Sequence, residues 1–214
     1  MDDPIVFLLN PPEHNEFKRY CKRYIFEFWD HKLQSEVRKK ESLKFLNPNN
    51  CSIFTAHPVY STCIGNPYET SKAIIQATML CGQYPVEKLT GKYRTTPIPT
   101  DFACSICDGG SVGSLPHLLL HCQGVELARN RAVTAARDRL RGSLYLSAKF
   151  EKVMVASDNV KTQFLLDPCS ENLSTDVRTC KNDTTDTSIM YHIGRTWCYS
   201  VHQERKKKLK ANGK

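Results

Sequence analysis

Cys104-Ser105-Ile106-Cys107, with His117-Leu118-Leu119-Leu120-His121-Cys122 ten residues downstream, organises the reading of this chain. Two cysteines separated by two residues fit one edge of a tetrahedral metal site. A His and a Cys five positions apart supply the other edge. Zinc takes thiolate sulfur and imidazole nitrogen at roughly 2.0–2.3 Å, and four protein ligands leave no open position for water. Such a site holds shape and does no chemistry. The insert Asp108-Gly109-Gly110-Ser111-Val112-Gly113-Ser114 has the turn-forming composition that lets the chain double back. His117 is preferred to His121 as fourth ligand, because His121 adjoins Cys122 and points about 100° away from it on a helix. The competing reading is two buried thiols beside an amphipathic helix.

The chain has 214 residues, 40% of them hydrophobic, enough for one domain with a core and a small appendage. Its net charge of +8 comes in patches. Residues 13–44 hold nine basic and six acidic side chains, residues 83–149 nine and five, and residues 203–214 six and one, whereas residues 151–202 hold five and seven. Positive charge beside the cysteines and at the C-terminal end is the footprint of a polyanion partner. The Met1-Asp2-Asp3-Pro4 start has no basic n-region, and Ile5-Val6-Phe7-Leu8-Leu9 is too short for a signal segment. No apolar run approaches the ~20 residues of a membrane span. The ten cysteines then read as thiols or metal ligands in a reducing interior, nuclear or cytoplasmic, rather than as a disulfide framework.

Helical periodicity dominates, without internal repeat or convincing alternating strand, so the expected fold is mainly α, an irregular helical domain with an embedded CCHC zinc-binding loop-helix. Residues 1–166 form the body, with the zinc module at 101–124. Phe17, Tyr20, Cys21, Tyr24, Ile25 and Phe28 repeat at three and four residues and predict a helix with a buried stripe, continued by Trp29, Leu33 and Val37. A second helix over 68–82 is apolar at Ala73, Ile74, Ala77, Leu80 and Cys81. Residues 116–141 predict one helix, with Cys122, Val125, Ala128, Ala132, Ala135 and Leu140 inward and Arg131, Arg137 and Arg141 outward. A further helix fits 147–166. The polar stretch 167–188 reads as a mobile loop, and 189–214 as a C-terminal helix anchored by Trp197 and Val201, with a free basic tail. His57 reads as a hydrogen-bonded anchor in a packed loop.

No catalytic constellation stands out: there is no P-loop, Gly-x-Ser-x-Gly, His-Glu-x-x-His or dinucleotide glycine motif, and the expectation is that the chain is not an enzyme. Cys198 and His202, four apart, share a helix face, and with Cys169 and Cys180 they make a second zinc site conceivable.

The spacing Cys-x2-Cys-x9-His-x4-Cys, preceded by Leu89-Thr90-Gly91-Lys92-Tyr93 and running through His117-Leu118-Leu119-Leu120-His121-Cys122 to Arg129, resembles the zinc-binding region downstream of the reverse transcriptase in non-long-terminal-repeat retrotransposons. Weaker similarity extends over Asn10-Pro11-Pro12, Trp29, Ser42-Leu43-Lys44, His57-Pro58 and Trp197 through Arg205. The resemblance implies Zn²⁺ on Cys104, Cys107, His117 and Cys122. Leu118 departs from the aromatic common in that family, and the polymerase and endonuclease portions of such polyproteins are lacking.

These observations lead to an expected zinc-stabilised nucleic-acid-binding module, holding RNA or DNA with low specificity. Phosphates would be met by Lys88, Lys92, Arg94, Arg131, Arg137, Arg141 and the tail Lys206, Lys207 and Lys208. Tyr93 either stacks on an unpaired base or belongs to the core. The rival is a protein-interaction scaffold in which zinc closes the fold and the charge serves solubility.

Overall fold

Side-chain caps open the helices that begin at Pro58, Pro67, Leu144 and Thr184. The computed structural model describes residues 13–52, 55–92, 102–107, 110–179 and 183–213. Helix α1 spans His14–Lys39, α2 Pro58–Ser61, α3 Pro67–Leu80, α4 Glu87–Gly91, α5 Glu126–Leu140, α6 Leu144–Val155, α7 Asp158–Leu166 and α8 Thr184–Ala211. Asn66 Oδ1 accepts from the Glu69 amide at 3.1 Å ahead of α3, and His57 Nδ1 accepts from the Val59 amide at 3.2 Å ahead of α2, each with proline at the first helical position. Asp183 Oδ1 caps α8 through the amides of Thr185 and Asp186. Among the described residues extended pairing is confined to two isolated bridges, Ser52 with Thr55 and Ala103 with Val112, so the chain is mainly α.

Helix α8 runs through the centre, against α3, α5 and α7. Met190, Tyr191, Ile193, Trp197, Cys198 and Val201 are all buried along it, and the Trp197 indole donates to the Leu119 carbonyl at 3.1 Å. Gly194 sets how closely the helices approach. A Cβ there would lie 2.3 Å from the Leu165 carbonyl oxygen and 2.6 Å from Gln76 Nε2. The Gln76 amide donates to the carbonyls of Leu165 and Leu166 at the end of α7, so three helices meet at one glycine. Two ion clusters fasten α8 further. Glu69 receives Lys72 Nζ at 2.7 Å, His192 Nδ1 at 3.0 Å and the buried Arg195 Nε at 3.3 Å, while Arg195 also donates to Thr62 Oγ1 at 2.7 Å. Arg205 reaches Glu87 at 3.1 Å.

Four expectations are corrected. The stripe on α1 is not core: Phe17, Tyr24, Ile25, Phe28 and Trp29 are 45–53% exposed, and Val37 is the buried residue of the helix. Helix α1 meets the 3₁₀ turn Pro48–Asn50, and Phe26, Asp30, Leu33 and Val37 lie on its more covered side, opposite the aromatic stripe. On α3, Ile74 is 50% exposed and Lys72 and Gln76 are buried, since the polar network with α7 and α8 rotates that face inward. Residues 116–141 are not one helix. A π-helical turn at His117–His121 gives way to extended backbone at Cys122 and a 3₁₀ turn at Gln123–Val125 before α5 begins, and Ala136 rather than Ala135 is buried. The segment read as helix over 147–166 is two helices, broken between Val155 and Asp158.

Over its described residues 167–179, the stretch expected as a mobile polar loop is a packed connection. Cys169, Leu173 and Val177 are buried, and the fully buried Asp167 carboxylate accepts from Tyr191 Oη at 2.5 Å, Asn50 Nδ2 at 3.0 Å and the Cys169 amide at 3.2 Å. Hydrogen bonding to a buried carboxylate compensates its loss of water, which is how so polar a segment is ordered with few apolar anchors. Helix α8 starts at Thr184, earlier than the expected 189, and continues to Ala211.

Replacing Gly194 with valine should lower stability by about 2–3 kcal/mol, because the added atoms meet backbone rather than a movable side chain. Urea denaturation at neutral pH measures this; an unchanged midpoint would show that α7 and α8 separate without cost.

Candidate metal centre

The two ligand pairs reach one point by different local devices. Cys104 and Cys107 lie on a turn closed by the Ala103–Val112 bridge, in which the Cys104 amide donates to the Ser111 carbonyl at 2.9 Å and the Gly113 amide to the Phe102 carbonyl at 2.7 Å. The second pair depends on the π-helical turn. Five α-helical steps would set His117 and Cys122 about 140° apart. The Cys122 amide instead donates to the His117 carbonyl at 2.7 Å, an i to i+5 bond that widens the turn and brings the two side chains to one side. Gly124 completes the closure: a Cβ there would stand 2.3 Å from the Ile106 carbonyl oxygen.

The ligand atoms of Cys104, Cys107, His117 and Cys122 all lie within 4.8 Å of one another. Cys104 Sγ is 3.7 Å from Cys122 Sγ, and Cys107 Sγ is 3.3 Å from His117 Nε2. Two sulfurs bound tetrahedrally at ~2.3 Å from one ion would be about 3.8 Å apart, and a sulfur and a nitrogen roughly 3.6 Å. With two of these separations near the tetrahedral values and all within 4.8 Å, the cluster could hold a metal ion. His121 points elsewhere, its Nε2 2.6 Å from Asp158 Oδ2 on α7.

Surrounding groups fix the ligands. The Arg129 guanidinium on α5 donates to the Cys122 carbonyl. Glu87 on α4 accepts from the Ser105 hydroxyl and, at 3.3 Å, from the Ser105 amide, while its other contact is Arg205. Burial alone pushes the Glu87 carboxyl up; hydrogen bonds from Ser105 and its own backbone, with the Arg205 charge, outweigh it and hold the group below the usual carboxylate range. The Lys88 amide donates to the Gly113 carbonyl at 3.0 Å, and Asn212 Nδ2 at the end of α8 reaches the Ser105 carbonyl at 3.5 Å. Glu87 and Arg205 were not foreseen as site residues; nothing local in the sequence pairs residues 118 positions apart.

Of the expected nucleic-acid contacts, Lys88 and Lys92 line one groove, joined by Lys44, over a floor of Phe45, Met79, Val86 and Leu89. This cavity of about 130 Å³ borders Ser114, Leu115 and Pro116, directly before the ligand His117. Lys44 belongs to the Ser42-Leu43-Lys44 stretch but was not singled out. Arg131 is exposed on α5, whereas Arg137 makes a two-pronged pair with Glu151 at 2.8 and 3.1 Å, and Arg141 pairs with Asp138 at 2.8 Å. Tyr93 and Arg94 lie outside the described residues. Lys206, Lys207 and Lys208 are exposed, but they continue α8 rather than forming a free tail, because Leu209 beyond them packs against the core. The conceivable second metal site is not assembled among the described residues. Cys198 is buried, which pushes its thiol up to about 12, and His202 Nδ1 is 2.9 Å from Tyr84 Oη; Cys180 lies outside the described residues.

Compared with protein-family profiles, curated proteins and solved structures, the chain matches none.

Cys107→Ser should abolish stoichiometric metal binding, whereas His121→Ala should retain it; elemental analysis of both purified variants decides between the two histidines. Binding should also strengthen with pH. In the metal-free protein, burial and the neighbouring Cys104 push the Cys122 thiol up to about 12, and burial raises Cys104 and lowers His117. The thiols therefore hold protons at neutral pH that a metal must displace, so the bound state carries fewer protons and affinity falls on acidification. Calorimetric titration in buffers of different ionisation enthalpy should report net proton release, and an affinity equal at pH 6 and pH 8 would contradict it.

Proposed function

We propose that this chain is a zinc-stabilised nucleic-acid-binding module, non-catalytic by itself, derived from a non-long-terminal-repeat retrotransposon polyprotein. The observation that carries the reading is the clustering of three thiols and an imidazole beside a lysine-lined groove. Three sulfurs and one nitrogen favour zinc among divalent ions, because thiolates are soft and four ligands suit its tetrahedral preference. A closed site of this kind leaves the metal a structural role: it ties residues 102–107 to the turn that starts α5.

The groove supports the polyanion. Lys88 and Lys92 have no ion-pair partner among the described residues, and with Lys44 they border an apolar floor. Exposed Arg131, Lys206 and Lys208 add positive charge, while Lys207 lies 3.9 Å from Glu204 Oε2. Such an array recognises phosphate rather than base edges. The Leu89-Thr90-Gly91-Lys92 stretch, the CCHC spacing and Arg129 on the Cys122 carbonyl are what the retroelement origin rests on.

Mobility shift against single-stranded RNA, duplex DNA and heparin tests the reading. Affinity should fall by roughly tenfold or more between about 50 and 200 mM salt and differ little among sequences. The double variant Lys88→Glu/Lys92→Glu should weaken binding about tenfold for every sequence while keeping the metal. No binding at low salt, or an affinity indifferent to salt, would refute a nucleic-acid role and leave a zinc-closed protein-interaction scaffold.

A further inference from the structure

The outward face of α1 is the largest feature that the metal centre and the groove leave unexplained. Phe17, Tyr24, Ile25, Phe28 and Trp29 are each about half exposed on one helix, whose opposite side is the one turned to the body. Large aromatics in a contiguous exposed strip mark an interaction surface rather than ordinary surface scatter. We propose that this face pairs α1 in parallel with α1 of a second copy of this chain, through Phe17, Cys21, Tyr24 and Phe28.

The spacing and the flanking charges select that occupant. Positions 17, 21, 24 and 28 alternate steps of four, three and four, the seam of a two-stranded coiled coil over two heptads. In a parallel pair the residue before each of positions 14, 21 and 28 faces, on the partner, the residue five further on. Glu13 then meets Lys18, Tyr20 meets Ile25, and Glu27 meets Lys32, each contact occurring twice by symmetry. Every one of these is favourable: two are opposite charges and the third is apolar. Reversing one helix would set Lys18 against Lys32 and Glu13 against Glu27, so the charges disfavour the antiparallel arrangement. Within the chain Glu13, Lys18, Glu27 and Lys32 make no ion pair among the described residues, and Lys32 Nζ instead lies 4.8 Å from the Trp29 ring centre. Past Phe28 the seam positions become His31 and Ser35, and the helix turns Val37 to its own body, which ends the pairing there. The proposal does not depend on nucleic-acid binding. It would set two metal centres on one particle.

Sedimentation equilibrium of the full chain across a wide concentration range tests it. The mass should rise from 24.4 kDa towards twice that value, reversibly, as a two-heptad seam is short. Phe28→Asp should hold the protein at the monomer mass at all concentrations with an unchanged thermal melt, since this side chain supports no core. Glu27→Lys should weaken the dimer, and Glu27→Lys/Lys32→Glu should restore it. Diamide should link two copies through Cys21, the two thiols giving up two protons and two electrons to the azo group as one S–S bond forms; peptide mapping should find Cys21 in the linked peptide, and Cys21→Ser should lose it. A monomer at every concentration, a dimer indifferent to Phe28→Asp, or a charge swap that fails to restore pairing would overturn the proposal. So would a monomer that dimerises only after residues 1–12 are removed, because the chain's own start would then cover the face.

Discussion

The approach of α8 to α7 at Gly194 is the constraint on which the rest of the chain arranges itself. With no Cβ at that position, the end of α7 and the Gln76 amide come close enough to share hydrogen bonds, and α8 becomes buried along most of its length. A helix so enclosed must satisfy its polar side chains internally. Arg195 does so through Glu69, Thr62 and the Val59 carbonyl, and Tyr191 through Asp167. These bonds in turn order the irregular segments around them, which have too little apolar surface to order themselves.

The metal centre inherits its position from the same helix. Arg205 on α8 holds Glu87, Glu87 holds Ser105 between the first two ligands, and the Trp197 indole holds Leu119 between the last two. The ligand loops are thus presented by the core from both sides. A bound ion would add closure to a site whose backbone is already steered, coupling its affinity to the integrity of α8.

Charge and apolar surface are divided between two regions. Lysines gather on the groove beside the Cys–His cluster, while the half-exposed aromatics lie along α1. Basic side chains at the α5 end that look equivalent in the sequence differ in availability: carboxylates engage Arg137 and Arg141, and none among the described residues engages Arg131. Net charge alone overstates the cationic surface for this reason.

Local chemistry made some features readable from residues in order. The Cys-x-x-Cys pair, the set of four candidate ligands and the burial of Trp197 and Val201 follow from spacing and periodicity, which act over a few residues. The α1 stripe, the packed 167–179 segment and the π-helical turn at His117 could not be read that way. Periodicity says that a face is apolar, but what covers it depends on elements far along the chain, and α1 turns its opposite side to the body. Asp167 is buried because Asn50 and Tyr191, distant in sequence, converge on it. The sequence by itself determined a mainly helical chain with four residues, Cys104, Cys107, His117 and Cys122, that could hold a metal ion. Only the tertiary structure decided which stripes are core and which acid steadies the ligand loop, because burial and ion pairing are fixed by contacts between remote segments.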